Sequence, residues 1–470
     1  MKQRILQSYF ALLGSLAHRY IKKNKPIVIG INGSVWKTSC RMVVTQTLQD
    51  FLPNERIFTS PKNFNWELWL SLSVFQINEW EPNVFCFIKT LIKIATKTFF
   101  GKKEYDIILL EYGIDRPKEM EFLLTIAKPD IGIFTAIDAV HSEQFGNPQA
   151  IAQEEIKMVQ NTKSTVFLNS DDPYAMQIKD DIWVDVFIYQ TAEHHHAGQL
   201  KEDIEFSQPT FVLNDENIPE LEATIAIKSQ KYKIKTNLLS KENLGYIGVG
   251  LAIAEIIGHQ RLPKKTSVLT DIAKSEVTSL YYTLQAWRLS VFEGISETLL
   301  FDSTYNASPL SMRSIITTAR NIKTKLFPKH PLWLVLGDMR ELGDLTEKEH
   351  RLLAAYVGQV ADYVFLVGKE MTTHMADELE KIGFPMSHIC KFHTATEATE
   401  IIKRLISDEK HPCDDHAHHH HPELPPLLVF KGSQNTIFLE EAVKWLLKNP
   451  EDAKYLTRQS ARWTKKKEAN

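Results

Sequence analysis

Residues 26–49 read PIVIGINGSVWKTSCRMVVTQTLQ, and this stretch decides the fold. Ile27 to Ile29 form a short β-branched run, the signature of a buried strand. Gly30 and Gly33 follow, then Ser34, Lys37, Thr38 and Ser39, and then a helical pattern to about Phe51. A strand that enters a glycine turn and a helix N-terminus builds a phosphate cradle, because loop N–H groups and the positive end of the helix face the anion. A lysine at this place reaches the outer phosphates, and the hydroxyl after it suits Mg²⁺. One position breaks the pattern. The residue before the lysine is Trp36, where close approach of the backbone and a positive φ favour glycine.

Working outward, strand-like runs recur at 105–113 (YDIILLEYG), 130–137 (DIGIFTAI), 165–169 (TVFLN) and 186–190 (VFIYQ), with helical patterns among them. Alternation of this kind predicts a parallel sheet wrapped by helices, with ligands at the carboxyl ends of its strands. Glu111, Gly113, Thr135, Asp138, Asn169, Asp171 and Asp172 fall at those ends. Residues 190–237 alternate polar and apolar and read as antiparallel strands; a helix follows from about Asn243 to Ile257. New strand runs begin near 290 and recur at 332–338, 363–368 and 427–433. The expected fold is α/β. A P-loop ATPase domain with a mostly parallel sheet (26–286) precedes a smaller Rossmann-like α/β domain (287–460). An N-terminal amphipathic helix (1–25) and a frayed tail (461–470) flank them.

Composition narrows the function. The 470 residues carry 55 Lys and Arg against 58 Asp and Glu, so no basic field points to nucleic acid. Four scattered cysteines, Cys40, Cys86, Cys390 and Cys413, make neither a zinc ribbon nor a disulfide framework. A reducing cytoplasm fits. Lys89, Lys93 and Lys97 interrupt the most apolar stretch, 84–100, which argues against a membrane span. Residues 2–23 place Ile5, Tyr9, Leu12, Leu13, Leu16 and Tyr20 on one helical face. That face either packs on the domain or rests on a membrane surface. His194–His196 and the 413–421 tract read as solvated loops.

The ordered motifs GINGSxxKTS, PKNFN, LLEYGIDRP, TAIDAVHSEQFG, LNSDDP, FDSTYNASPLSM, LGDMRELG and FKGSQ resemble the Mur ligase family over about residues 26–460. FDSTYNASP and LGDMRELG are most similar to the branch that adds D-alanyl-D-alanine to a UDP-MurNAc-tripeptide. The resemblance implies an ATP- and Mg²⁺-dependent amide ligase working through an acyl phosphate, cytoplasmic and monomeric. Lys37 and Thr38 would serve phosphates and metal, with Gly30, Gly33, Ser34 and Ser39 forming the cradle. Glu111 and His141 match metal positions; Arg288 and Asp302 match residues that contact ATP. Asn63, Asn65, Asn306, Ser308, Lys431 and Ser433 fall on the substrate side.

The chain departs from the family pattern in four ways. Only about 25 residues precede the P-loop strand, too few for a uridine-binding domain. This leaves open a related ligase that acts on another carboxylate, as folate polyglutamate synthases do. Where the family often carries a carbamylated lysine, IAQEEIKMV places Glu155, a shorter carboxylate that would replace it on the metal side. The family's HNxxN helix start reads ENLGY, keeping Asn243 and substituting Tyr246.

The fourth departure is a repeated one. Trp36, Trp69 and Trp287 all stand where the motifs carry glycine, and glycine totals only 19 of 470 residues, about 4% against a usual 7%. Three swaps of one kind read as UGA codons that mean glycine in the source lineage but were translated as tryptophan. A dead paralogue, or a loop repacked around Trp36, is the alternative. The codons decide: UGA is expected at all three positions, and UGG there overturns the recoding.

Overall fold

The computed structural model describes residues 2–468 apart from 61–66, 79, 82, 140–141, 193–201, 262–266, 284–288, 408–422 and 434–436. Asn63, Asn65, His141, Trp287, Arg288 and both histidine tracts therefore lie outside the described residues.

The first sheet contains β1 (Ile27–Asn32), β2 (Ile57–Thr59), β3 (Ile107–Glu111), β4 (Ile131–Phe134), β5 (Thr165–Asn169), β6 (Asp185–Tyr189), β7 (Ile204–Leu213), β8 (Pro219–Ile227), β9 (Gln230–Thr236) and β10 (Thr278–Leu280). Their order is β10-β9-β8-β7-β6-β5-β4-β1-β3-β2. Strands β1 to β6 run parallel. β3 and β4 are buried along their whole length, as expected of strands covered by helices on both faces. The 190–237 region extends the same sheet as antiparallel β7–β9. β1 lies between β3 and β4, with Ile31 opposite both Glu111 and Ile133. From β1 the chain travels first to one side and then to the other. That is a switch point, and the crevice at its carboxyl end is where such sheets bind ligands.

The second sheet contains β11 (Ser290–Glu293), β12 (Leu299–Ser303), β13 (Leu332–Gly337), β14 (Tyr363–Val367), β15 (Ile389–Phe392) and β16 (Leu427–Lys431), in the order β11-β12-β16-β13-β14-β15. Only the β11–β12 pairing is antiparallel. Trp333, fully buried on β13, is its largest core side chain. The change of sheet falls between Leu280 and Ser290.

Four helices matter below: α1 (Lys2–Asn24), α2 (Lys37–Phe51), α3 (Glu67–Val74) and α4 (Val84–Phe100). The apolar face of α1 packs on the domain: Leu13, Ala17 and Tyr20 are buried. Leu12, read as part of that face, is instead exposed, because helical spacing sets it 100° from Leu13 and outside the contact stripe.

The helix Glu242–Arg261 is buried nearly all round and carries Asn243 at its start. It presses on the sheet so closely that a Cβ on Gly245 would lie 2.1 Å from the Gln190 carbonyl oxygen, and one on Gly250 would lie 2.8 Å from Thr47 of α2. Backbone cannot yield as a flexible side chain can, so Gly245→Ala should destabilise the fold by about 1–3 kcal/mol in urea titration. An unchanged midpoint would show that the helix does not sit this close.

Candidate active site

The loop after β1 is lashed to the end of β4. Gly33 has φ 122°, and a Cβ there would meet the Thr135 hydroxyl at 2.3 Å, so only glycine fits. Thr135 Oγ1 lies 2.9 Å from the Asn32 carbonyl oxygen and 2.6 Å from that of Val35. The Ser34 N–H donates to the Ala136 carbonyl at 2.8 Å. Trp36 follows in the left-handed region at φ 65°, ψ 1°, and caps α2 without a side-chain hydrogen bond. The first turn of α2 thus keeps N–H groups available to an anion. Lys37 folds back, and its ammonium donates to the carbonyl of Gly33.

Three further groups converge on this loop. The Thr38 hydroxyl donates to Glu111 at 3.2 Å. Glu111, at the end of β3, is buried and forms an ion pair with Arg41; the Arg41 guanidinium is in turn held by Thr59 and the Ser60 carbonyl. Glu155, from the helix Pro148–Gln160, accepts from the Asn32 amide at 3.1 Å and from the Gly33 N–H at 3.4 Å. Lys157, two residues on, points away to Glu121 and Glu154. Arg41 was not among the residues read from the motifs. Its only signal is a lone arginine among the buried residues of α2, four positions after Lys37.

Gly30 precedes the turn. It sits within β1, where a Cβ would meet Pro129 at 2.5 Å and Met158 at 3.1 Å, so its smallness serves packing between the strand and its covering elements. Asn169 and Asp172 also serve the scaffold: the Asn169 amide donates to the Thr135 carbonyl at 2.6 Å, and Asp172 accepts from the Ile137 N–H at 2.7 Å.

Beside the loop a shallow cleft runs along α2 between Ser39, Met42, Gln46, Leu238, Asn243 and Tyr282. Its lining mixes apolar side chains with two amides, Gln46 and Asn243, the chemistry that an aromatic heterocycle meets in a binding site. Ser39 and Asn243 both line it.

No cluster of three or more metal-ligating His, Cys, Asp or Glu occurs among the described residues. The donor set nevertheless fits a hard cation. Thr38 and Glu111 offer adjoining oxygens, and the buried Ser34 hydroxyl and Asn32 amide oxygen have no hydrogen-bond partner. Mg²⁺ takes oxygen ligands and keeps several waters.

The second sheet contributes a separate cluster. β12 and β16 pair with Ser303 opposite Lys431. The Lys431 ammonium lies within 3.4 Å of the Ser303 carbonyl and donates to the Asn306 carbonyl. Ser433 donates to the Ala307 carbonyl and accepts from the Arg340 N–H. Ser308 caps the helix Pro309–Leu326. The two domains meet here: Asp138 accepts from the Leu310 N–H at 3.0 Å and from the Ser308 hydroxyl. Burial pushes the Asp138 carboxyl's pKa up, against these hydrogen bonds.

Asp302 lies on β12. It is fully buried, and one oxygen accepts from the Thr304 N–H and hydroxyl at 3.0 and 2.7 Å, while the other has no partner. Its setting includes the buried Glu440–Arg458 ion pair. Burial raises its pKa to about 6.

Two family models match in order: the Mur ligase middle domain over residues 31–253, and the Mur ligase, glutamate ligase domain over residues 287–415. A Bacillus subtilis UDP-N-acetylmuramoyl-tripeptide–D-alanyl-D-alanine ligase is 23% identical, over 93% of this chain and 79% of that protein. A crystal structure of MurF from Acinetobacter baumannii has TM-score 0.68 at 17% identity, with 93% of this chain and 80% of that one covered. The Thermotoga maritima MurF ligase, solved in complex with ADP, has TM-score 0.65 at 19% identity, with 94% and 84% covered.

The Asp302 environment sets a pH dependence. An unfolded aspartate titrates near 4, so between about pH 4 and 6 the folded chain holds a proton there that the unfolded chain releases. The stability this group contributes is complete below pH 4 and is lost as pH rises through 6, by roughly 3 kcal/mol in all. Asp302→Asn should flatten that limb, so that its melting temperature gains on the parent's from pH 4 to 6.5. A constant difference across that range would show that Asp302 titrates normally.

Proposed function

We propose that this chain, which belongs to the Mur ligase family, is the ligase that joins D-alanyl-D-alanine to the terminal carboxylate of a UDP-MurNAc-tripeptide at the expense of ATP. The observation that carries the reading is the convergence of Lys37, Thr38, Glu111 and Glu155 on one loop at the switch point of the first sheet. Across the Asp138–Leu310 contact stands the polar cluster of the second domain. In this reading the nucleotide's base would lie beside Ser39 and Asn243, and its phosphates would extend over the N-terminus of α2.

The chemistry asks for positioning more than covalent help. Lys37 swings from the Gly33 carbonyl to the outer phosphates and offsets charge as the acceptor carboxylate attacks the γ-phosphorus. The bond from that phosphorus to ADP breaks, leaving an acyl phosphate. The amine of D-alanyl-D-alanine, held on the second-domain side near Asn306, Ser308, Lys431 and Ser433, then attacks the acyl carbon. The nitrogen loses a proton, and the carbon–oxygen bond to phosphate breaks. Thr38 and Glu111 would hold Mg²⁺, with Glu155 beside it, and the metal would neutralise phosphate charge. Arg41 fixes the Glu111 carboxylate in place, and Glu155 orients the loop through Asn32 and Gly33. His141 and Arg288 keep their motif-based roles on metal and phosphate. ATP as co-substrate places the reaction in the cytoplasm. One chain supplies both sides of the site, so a monomer suffices.

One observation favours a second reading. Trp36 holds φ 65°, a conformation that costs a bulky residue about 1–3 kcal/mol. Its indole is partly buried against the core, and a loop repacked in this way would leave a binding homologue without catalysis. Phosphate release from ATP with both substrates, for the parent chain and for Trp36→Gly, separates the two. Turnover is expected in Trp36→Gly, above the parent, because glycine holds the left-handed loop conformation without strain. Absence of turnover in both forms overturns the ligase reading.

A further inference from the structure

The helix α4 exposes an apolar stripe as well as lysines. Thr90, Ile94 and Thr98 are buried against the domain, and Phe87 packs edge-on to Tyr9 of α1 at 4.6 Å. The opposite face exposes Val84 (76%), Phe85 (77%), Ile88 (55%), Ile92 (61%), Phe99 (49%) and Phe100 (85%). At 100° per residue, Val84, Ile88, Phe99, Ile92 and Phe85 share one arc of about 100°. Lys89 and Lys93 border that arc on one flank, both exposed, and neither forms an ion pair with another described residue.

The helix is held rigidly in this pose. The Lys23 ammonium of α1 lies 3.0 Å from the Phe99 carbonyl and 3.2 Å from that of Gly101, closing the C-terminus of α4. The Arg19 guanidinium stands 5.1 Å from the centre of the Phe99 ring. The exposed stripe is thus a fixed surface.

Charge decides what covers it. The 23 residues of α1 and the 17 of α4 contain no Asp or Glu, in a chain where acids outnumber bases 58 to 55. Lys22, Arg19, Lys89 and Lys93 are all exposed around the stripe. A protein-docking face in this chain would be expected to mix both signs. A convex apolar ridge with a basic border matches the interface of an anionic bilayer, into which such a helix sinks 5–10 Å in the membrane plane. None of the described helices is long and apolar enough to cross a membrane.

We infer that α4, supported by the basic residues of α1, seats this protein on the surface of an anionic phospholipid membrane. The contact differs from the one the sequence suggested. The apolar face of α1 is spent on the core, and α4 supplies the insertion. The inference stands apart from the reading of the active site, since it uses none of those residues.

The test is flotation of the full chain with vesicles of phosphatidylcholine alone and of phosphatidylcholine mixed with phosphatidylglycerol. The chain should float with the mixed vesicles at low salt, release as salt rises, and bind neutral vesicles far more weakly. Lys89→Gln with Lys93→Gln should weaken binding to mixed vesicles about fivefold per lysine. Ile88→Glu with Ile92→Glu should abolish it while leaving the melting temperature unchanged, because both side chains are already in solvent. Failure of the parent to float with mixed vesicles overturns the inference, as does flotation of the double glutamate variant. A parent dimer that the glutamate variant splits, without vesicle binding, overturns it in favour of a second copy of this chain.

Discussion

The structure depends on the tie between the loop after β1 and the end of β4. Thr135 reaches two loop carbonyls and Ala136 takes a loop amide, so the turn at Gly33 cannot relax without unpairing buried polar groups. Each such group left unsatisfied costs about 1–3 kcal/mol. The tie fixes where α2 begins, and with it the direction of its N–H groups, the reach of Lys37 and the contact of Thr38 with Glu111. The parallel sheet supplies the frame, and this knot of backbone bonds turns the frame into a cradle.

A second consequence follows at Asp138, two residues past Ala136. The same β4 end that holds the loop also accepts the N–H of Leu310 from the second domain. The carboxylate sits at the positive end of the helix Pro309–Leu326, which favours its charge, while burial opposes it. Cradle and domain contact therefore share one short segment. A shift in how the second domain sits would be felt at Thr135 within a few bonds. That economy suits a reaction whose two reactants arrive on different domains.

Much of this was legible in the sequence. The β-branched run, the glycine turn and the lysine–threonine pair placed the loop, and the ordered motifs placed the second domain's polar cluster. Glu155 was found by position in a motif, and the structure sets it, not Lys157, against the loop. What stayed hidden was of two kinds. Arg41 belongs to no motif, because its task is to neutralise Glu111 and many sequences could do that. Gly30 also meets a packing demand and Asp302 a burial one, constraints that the motifs do not reveal. A motif records that a residue type is required without saying whether a ligand or a neighbouring side chain requires it.

Trp36 tests the same distinction from the other side. Its backbone takes a left-handed conformation although its side chain has every reason to avoid one. The chain on either side is anchored by β1 and α2, so the φ at this position is imposed on the residue. That is the physical content of a glycine requirement, and it appears here without reference to any relative. Trp69 offers no such support, since it lies inside α3 and packs edge-on to Trp80 at 6.3 Å, where helix geometry tolerates any side chain that finds room. The steric case for a glycine therefore rests on the backbone of the loop, since the Trp36 indole itself finds room, partly buried against the core.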